Sequence, residues 1–181
     1  DIDLDRLPLD DAKTYELFAN GHTIGIFQFS KPKMREYLSK LKPKNINDLA
    51  AMNALYRPGP MDLIPEFIER KHGKKEVTYL HPDMEQVLKE TYGVIVYQEQ
   101  VMQLVRVIAG YSLAKADLVR RAMGKKDEKL MKEQEEEFIK GAHELGYNKK
   151  VAKEIFKLIL KFADYGFNKS HSVAYSVLAY Y

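Results

Sequence analysis

The stretch NKKVAKEIFKLILKFADYGFNKSHS, from Asn148 to Ser172, decides the fold class. Val151, Ile155, Leu158, Ile159 and Phe162 recur at helical spacing, so Lys150–Asp164 reads as one amphipathic helix with Asn148 as its cap. Gly166 breaks that helix, and Asn168 or Ser170 starts another that runs toward Tyr180 and Tyr181. An apolar stripe of period 3.6, a glycine stop and a polar cap make a helix–turn–helix grammar, and the rest of the chain repeats it.

Upstream, Asp127 begins a long helix to about Leu145, with Leu130, Phe138 and Ala142 inward and Gly146 as the stop. A helix from Ser112 to Met123 ends or kinks at Gly124. Gln98–Ala109 places Val101, Leu104, Val105 and Ile108 on one face. Pro82 opens a helix to about Glu90, and Thr91-Tyr92-Gly93 turns the chain. Nearer the start, helices are expected over Ala12–Phe18 and Pro32–Leu41. Another, capped by Asn47 or Asp48, runs through Leu55, and one that begins at Pro65 reaches Lys71. Arg57-Pro58-Gly59-Pro60 separates the last two. Thr23–Phe29 reads as a short extended run. Val94–Val96, a β-branched run, reads as a strand or as buried extended chain. The expected fold class is therefore mainly α, a multi-helix domain with minor short β-strands.

The 181 residues are 45% hydrophobic and 30% charged, a globular balance, with a net charge of +3. Cysteine is absent, which excludes disulfides and cysteine-based zinc sites. No apolar run approaches the ~20 residues of a membrane helix, so no membrane partner is expected. The opening DIDLDRLPLDD is acidic and unlike a signal or transit peptide, and it lacks an initiator Met. These features lead to the expectation of a cytoplasmic piece of a much longer chain.

Four constellations bear on chemistry. Asp1, Asp3 and Asp5 alternate as metal-binding carboxylates do on a strand, but no other strand offers partner oxygens, so no metal site is assigned. In LVRRAMGKK, Arg120, Arg121, Lys125 and Lys126 crowd together; from Lys115 to Lys132 seven cations and three acids give a local charge of +4. Such a face is either a solvated basic helix or a grip for phosphate, which guanidinium binds bidentately. In NKSHS, Asn168, Lys169, Ser170 and His171 stand at a helix N-terminus, where N–H groups and the dipole suit an anion. The competing reading is a hydrogen-bonded helix start; no acid at a usable spacing and no nucleophile elbow support catalysis by His171. In YQEQ, Tyr97, Gln98 and Gln100 either cap a helix or touch nucleic acid. The five histidines form no H-x-x-x-H cluster, and no phosphate-cradling glycine motif occurs.

Five stretches together resemble one family: GIFQFSKPKMREYLSKLKP (25–43), ALYRPGPMDLIPEFIERKHG (54–73), TYGVIVYQEQVMQLVRVIAGYSLAKADLVRRAMGKK (91–126), FIKGAHELG (138–146) and FADYGFNKSHSVAYSVLAYY (162–181). They are similar to the alpha subunit of bacterial replicative DNA polymerase III, a C-family polymerase. The resemblance covers nearly the whole chain, in order. It implies the fingers region, with residues 1–50 as lead-in and first part and 51–181 as the core that carries nucleotide-facing basic helices. It implies that the catalytic carboxylates and their Mg2+ belong to a palm outside this chain, so that no catalytic residue and no metal ligand lies here and the fragment alone is inactive. Implied partners are a deoxynucleoside triphosphate, template–primer DNA and, through the parent chain, other replicase subunits. Arg120, Arg121, Lys125, Lys126, Asn168, Lys169, Ser170, His171 and Arg57 are expected at phosphates, and Tyr97, Gln98 and Gln100 at the nascent base pair. The alternative is a stand-alone nucleic-acid-binding helical module without catalysis. One departure stands out: the family pattern FQ-x-E-S-x-G-M reads FQFSKPKM here, with Ser30 for the Glu and Lys33 for the Gly.

Overall fold

A computed structural model describes the chain except residues 1, 2, 4, 5, 126, 127 and 164, and the side chains of residues 123–125, 128 and 163. Ten α-helices occur among the described residues: α1 Ala12–Ala19, α2 Pro32–Leu41, α3 Ile46–Leu55, α4 Ile64–Lys71, α5 Glu85–Leu88, α6 Gln98–Ala109, α7 Leu113–Lys125, α8 Glu128–Glu144, α9 Lys149–Ala163 and α10 Lys169–Tyr180. They fall into two compact units. One joins residues 1–75 to 168–181, and the other is residues 76–167.

The first unit is built on α3. This helix is buried nearly all round, through Asp48, Leu49, Ala50, Ala51, Met52, Ala54 and Leu55, as a helix enclosed by neighbours must be. Its small residues let α10 approach closely. Ser172 is fully buried there and its hydroxyl donates to the Ala50 carbonyl, while the Ser176 hydroxyl donates to Ser172 O at 2.8 Å. Neither serine is left with an unpaired hydroxyl, which makes polar residues tolerable in the seam. Tyr180 ties α10 to the start of the chain: its hydroxyl donates to Pro8 O at 3.0 Å and accepts from Asp11 N at 2.9 Å. A buried ion pair completes the unit. Lys71 Nζ lies 3.4 Å from Asp48 Oδ2 and donates to Lys42 O at 3.0 Å, while Asp48 also accepts from Lys44 N. Asp48 thus serves the core, and the cap of α3 is Asn45, whose side chain accepts from Asp48 N at 2.9 Å.

The second unit packs α5–α9 around Leu88, Val101, Leu104, Val105, Ile108, Phe138, Ala142, Ile155, Phe156 and Ile159. Gly141 on α8 allows a close approach, because a Cβ there would stand 2.5 Å from the Ala109 carbonyl oxygen of α6. Gly124 lies inside the last turn of α7 and does not end it.

The expectation of minor β-strands is wrong: no β-strand occurs among the described residues. Val94–Val96 is buried extended chain whose backbone bonds to side chains as well as to the Thr91 and Phe167 backbone. Thr91 Oγ1 donates to Val94 O at 2.6 Å, and Gln100 Oε1 accepts from Val96 N at 2.8 Å. The pairing that remains is an isolated parallel bridge between Tyr97 and Phe167. A ladder does not form because Thr91 and Gln100 occupy the positions of a neighbouring strand. Thr23–Phe29 is not extended either. Two successive turns shape it, with Ile26 N bonded to Thr23 O and Phe29 N to Ile26 O, and Gln28 at φ 66°.

Candidate functional site

In the second unit, α7 presents Arg120 and Arg121 on consecutive positions, and both reach back one turn to Asp117. Arg120 donates through Nε and Nη2 to Asp117 Oδ1 at 2.9 and 2.7 Å. Arg121 Nη2 lies 2.7 Å from Asp117 Oδ2. One carboxylate therefore orients two guanidinium groups, one oxygen each. The Arg120 hydrogen bond, with help from Arg121, holds the Asp117 carboxyl below its ordinary range. The trio keeps a net positive charge. Each guanidinium has five N–H donors, so Asp117 leaves donors over for another acceptor. Arg121 is 64% exposed and Arg120 33%. The orienting role of Asp117 escapes a reading that counts acids only between Arg120 and Lys126. The signal was the i,i+3 and i,i+4 spacing from Asp117. Lys126 and the Lys125 side chain lie outside the described residues.

The polar bracket Tyr97–Gln100 is also in the second unit. Gln100 is 2% exposed. Its Oε1 accepts from Val96 N and Tyr97 N, and its Nε2 donates to Thr91 Oγ1 at 2.8 Å and Val87 O at 3.4 Å. Every hydrogen-bonding direction of this amide is turned inward, so Gln100 acts on its surroundings through the backbone it holds. Tyr97 is likewise 2% exposed. Gln98 is half-buried; its N–H donates to Phe167 O at 2.9 Å and its amide nitrogen to Gly166 O at 3.3 Å. Gly166 fits because a Cβ there would come within 3.1 Å of Gln98 Cγ. The bracket thus fixes where the chain leaves the second unit, immediately before Asn168.

In the first unit, Asn168 caps α10, its Oδ1 accepting from His171 N at 2.8 Å. Asn168, Ser170 and His171 are exposed and Lys169 is half-buried. The His171 ring meets Tyr175 edge-on at 4.1 Å between centroids, and Tyr175 meets Phe27 at 5.1 Å. Three rings in succession hold the imidazole beside the helix start. The first turn of α10 holds no acidic residue, the position where a carboxylate would offset the positive end of the helix dipole. Arg57 stands apart from this group in sequence and anchoring: its Nε donates to Ala54 O at 2.9 Å, and burial pulls its guanidinium below the ordinary arginine value. Lys33, where the family pattern has Gly, lies in the helical first turn of α2 and pairs with Glu36 at 3.0 Å, so that position needs no glycine.

Among the described residues no group of three or more His, Asp or Glu side chains is placed to hold a metal ion, and no helix is long and apolar enough to cross a membrane. Residues 1–146 match the family model described as bacterial DNA polymerase III alpha subunit finger domain. The chain belongs to that family. Curated relatives agree. The chain is 55% identical over 179 residues to the DNA polymerase III subunit alpha of Halalkalibacterium halodurans. It is 52% identical over 180 residues to that of Borreliella burgdorferi and 54% over 180 residues to that of Caulobacter vibrioides. Each match covers 99% of this chain and 16% of the relative. The chain therefore spans about a sixth of the length of the curated relatives it matches.

Proposed function

We propose that this finger domain binds the incoming deoxynucleoside triphosphate and the template–primer of a replicative DNA polymerase, beside palm carboxylates that lie outside these 181 residues. The observation that carries the reading is the Arg120–Asp117–Arg121 arrangement, two oriented cations with donors to spare on one helix of a polymerase finger domain. In nucleotidyl transfer the primer 3′-hydroxyl attacks the α-phosphorus, and pyrophosphate leaves with charge developing on its oxygens. Mg2+ held by the palm supplies the activation of nucleophile and leaving group. Arg120 and Arg121 supply fixed positive charge toward the triphosphate, with Lys125 and Lys126 adding to the same basic segment. The start of α10 offers a second kind of grip through helix N–H groups, Lys169 and His171, with Asn168 and Ser170 shaping it. Gln98 faces the nascent pair, while Tyr97 and Gln100 set the backbone behind it. Arg57 contributes charge to the first unit. The remaining replicase subunits meet the parent chain.

The test is Arg121→Ala in the full-length polymerase, with single-nucleotide incorporation measured at saturating primer–template. A fall in kcat/KM for nucleotide of about 10²-fold is expected, the scale for loss of one oriented donor. Unchanged steady-state constants would sink the assignment.

A further inference from the structure

The strongest charged surface that the nucleotide reading leaves unused is α9. Lys149, Lys150, Lys153, Lys157 and Lys161 all lie on it and all are exposed. At 3.6 residues per turn the five fall within an arc of about 120°, opposite the buried face of Ala152, Ile155, Phe156 and Ile159. Lys149, Lys153, Lys157 and Lys161 follow one another at i+4, about 6 Å of rise per step and about 18 Å in all. Glu154 is the sole acid on this helix. Among the described residues none of the five lysines pairs with a carboxylate.

Folding does not explain this pattern. Lys149 and Lys150 sit in the first turn, where the helix dipole disfavours cations, and no acid offsets them there. Successive lysines at i+4 repel one another. A merely solvated helix face gains from alternating signs, and this one does not alternate. We infer that the lysine row of α9 is a docking surface for the phosphate backbone of duplex nucleic acid. A duplex presents its phosphates at fixed pitch, and about 3.4 Å of axial rise plus the turn of the strand sets successive phosphates of one strand roughly 6–7 Å apart, comparable to the ~6 Å step between lysines. Single-strand binders add exposed aromatic rings for bases to stack on. The outward arc of α9 carries none, and Phe162 at its end is half-buried with Lys161 Nζ 5.5 Å from its ring. The contact is therefore independent of sequence and sensitive to salt.

The inference deepens the template–primer reading and rests on it, and its test is independent of the nucleotide assignment. The full-length polymerase subunit and its Lys149→Gln/Lys153→Gln/Lys157→Gln variant are titrated with a blunt 30-base-pair duplex and with oligo(dT) of equal length, each across a salt series. For the duplex, the log–log dependence of Kd on salt becomes shallower by about 2–3, close to 0.9 per lost contact, and low-salt affinity falls at least tenfold. Oligo(dT) binding changes less, and nucleotide KM at saturating duplex is unchanged. Thermal stability of the variant stays level or rises, because the removed charges repelled one another. Lys153→Gln alone shifts the slope by about 0.9 and guards against a folding artefact in the triple variant. An unaltered duplex slope overturns the inference, and so does an equal loss for oligo(dT).

Discussion

On the function proposed above, the helix carrying the arginines and the helix carrying the histidine would meet an anion by opposite routes. On α7 the proposed groups are side chains, and one carboxylate organises them: Asp117 orients the guanidinium groups of Arg120 and Arg121. On α10 the proposed groups are backbone amides and their immediate neighbours, and the core organises the helix that carries them. Ser172 ties the helix to α3 through the Ala50 carbonyl, Ser176 bonds back within α10, and Asn168 closes its first turn. Charge dominates the first arrangement and direction the second. Fixed charge is worth most where charge develops during reaction, and oriented amides are worth most where a ligand must be placed.

The widest gap between the two is expected in catalysis. Arg120→Ala in the full-length polymerase removes the guanidinium that donates twice to Asp117, and kcat/KM for nucleotide should fall about 10²–10³-fold. His171→Ala removes an exposed ring that rests on Tyr175, and a loss at least tenfold smaller is expected. Single-turnover incorporation measures both. If His171→Ala costs as much as Arg120→Ala, the division into charge and direction is broken.

The next largest effect concerns what lies behind the bracket. Gln100→Ala would strip partners from the buried Val96 and Tyr97 amides and from Thr91. Each orphaned buried group costs about 1–3 kcal/mol, so unfolding in urea should show a loss of at least about 2 kcal/mol. A change under about 0.5 kcal/mol would mean that the second unit does not depend on this amide.

The contrast also explains what was legible in the chain. Pro32 and Gly146 mark helix limits by local chemistry and the apolar spacing of Val101–Ile108 marks α6, so α2, α6 and α8 were readable to within a residue or two. Val94–Val96 was legible only as two alternatives, a strand or buried extended chain, and the second holds. Its composition matches a strand, and only the tertiary placement of Thr91 and Gln100 shows that side chains complete its backbone bonding. Asn45 was passed over as the cap of α3 because Asn47 and Asp48 carry the same chemistry two and three residues later; Asn47 lies inside the helix, and burial beside Lys71 gave Asp48 a different task. At the site, the cations were visible as a cluster, whereas their shared carboxylate required the helix spacing to be applied backward from Arg120. The lysine row of α9 was hidden within an amphipathic pattern, since a polar face attracts no notice until its lack of acids is weighed.

A smaller effect isolates the cap. Asn168→Ala should cost about 1 kcal/mol, the usual value of an N-cap side chain, while Asn168→Asp keeps an acceptor for His171 N and should cost much less. Urea unfolding with a probe in the first unit reads this directly. Equal losses for both variants would show that the amide nitrogen of Asn168, not its oxygen, does the holding.

The smallest effect separates the two helices by pH. Hydrogen bonding to Arg120, then to Arg121, lowers the folded-state pKa of Asp117 below its ordinary 3.8. Between the lowered and the ordinary value the unfolded chain binds more protons than the folded one, so stability rises with pH across that window. The contribution is complete above about pH 4 and disappears as pH falls through the folded-state value. Asp117→Asn should therefore differ from the parent chain in thermal midpoint by a constant small amount at pH 5–7, and the difference should shrink below about pH 4. Added salt should reduce it as well, because the trio is exposed enough to be screened. Asn168 does not titrate, so Asn168→Ala should differ from the parent chain by the same amount at every pH in that range. A pH-independent deficit for Asp117→Asn would mean that the arginines are held by packing, and the two helices would then be organised alike.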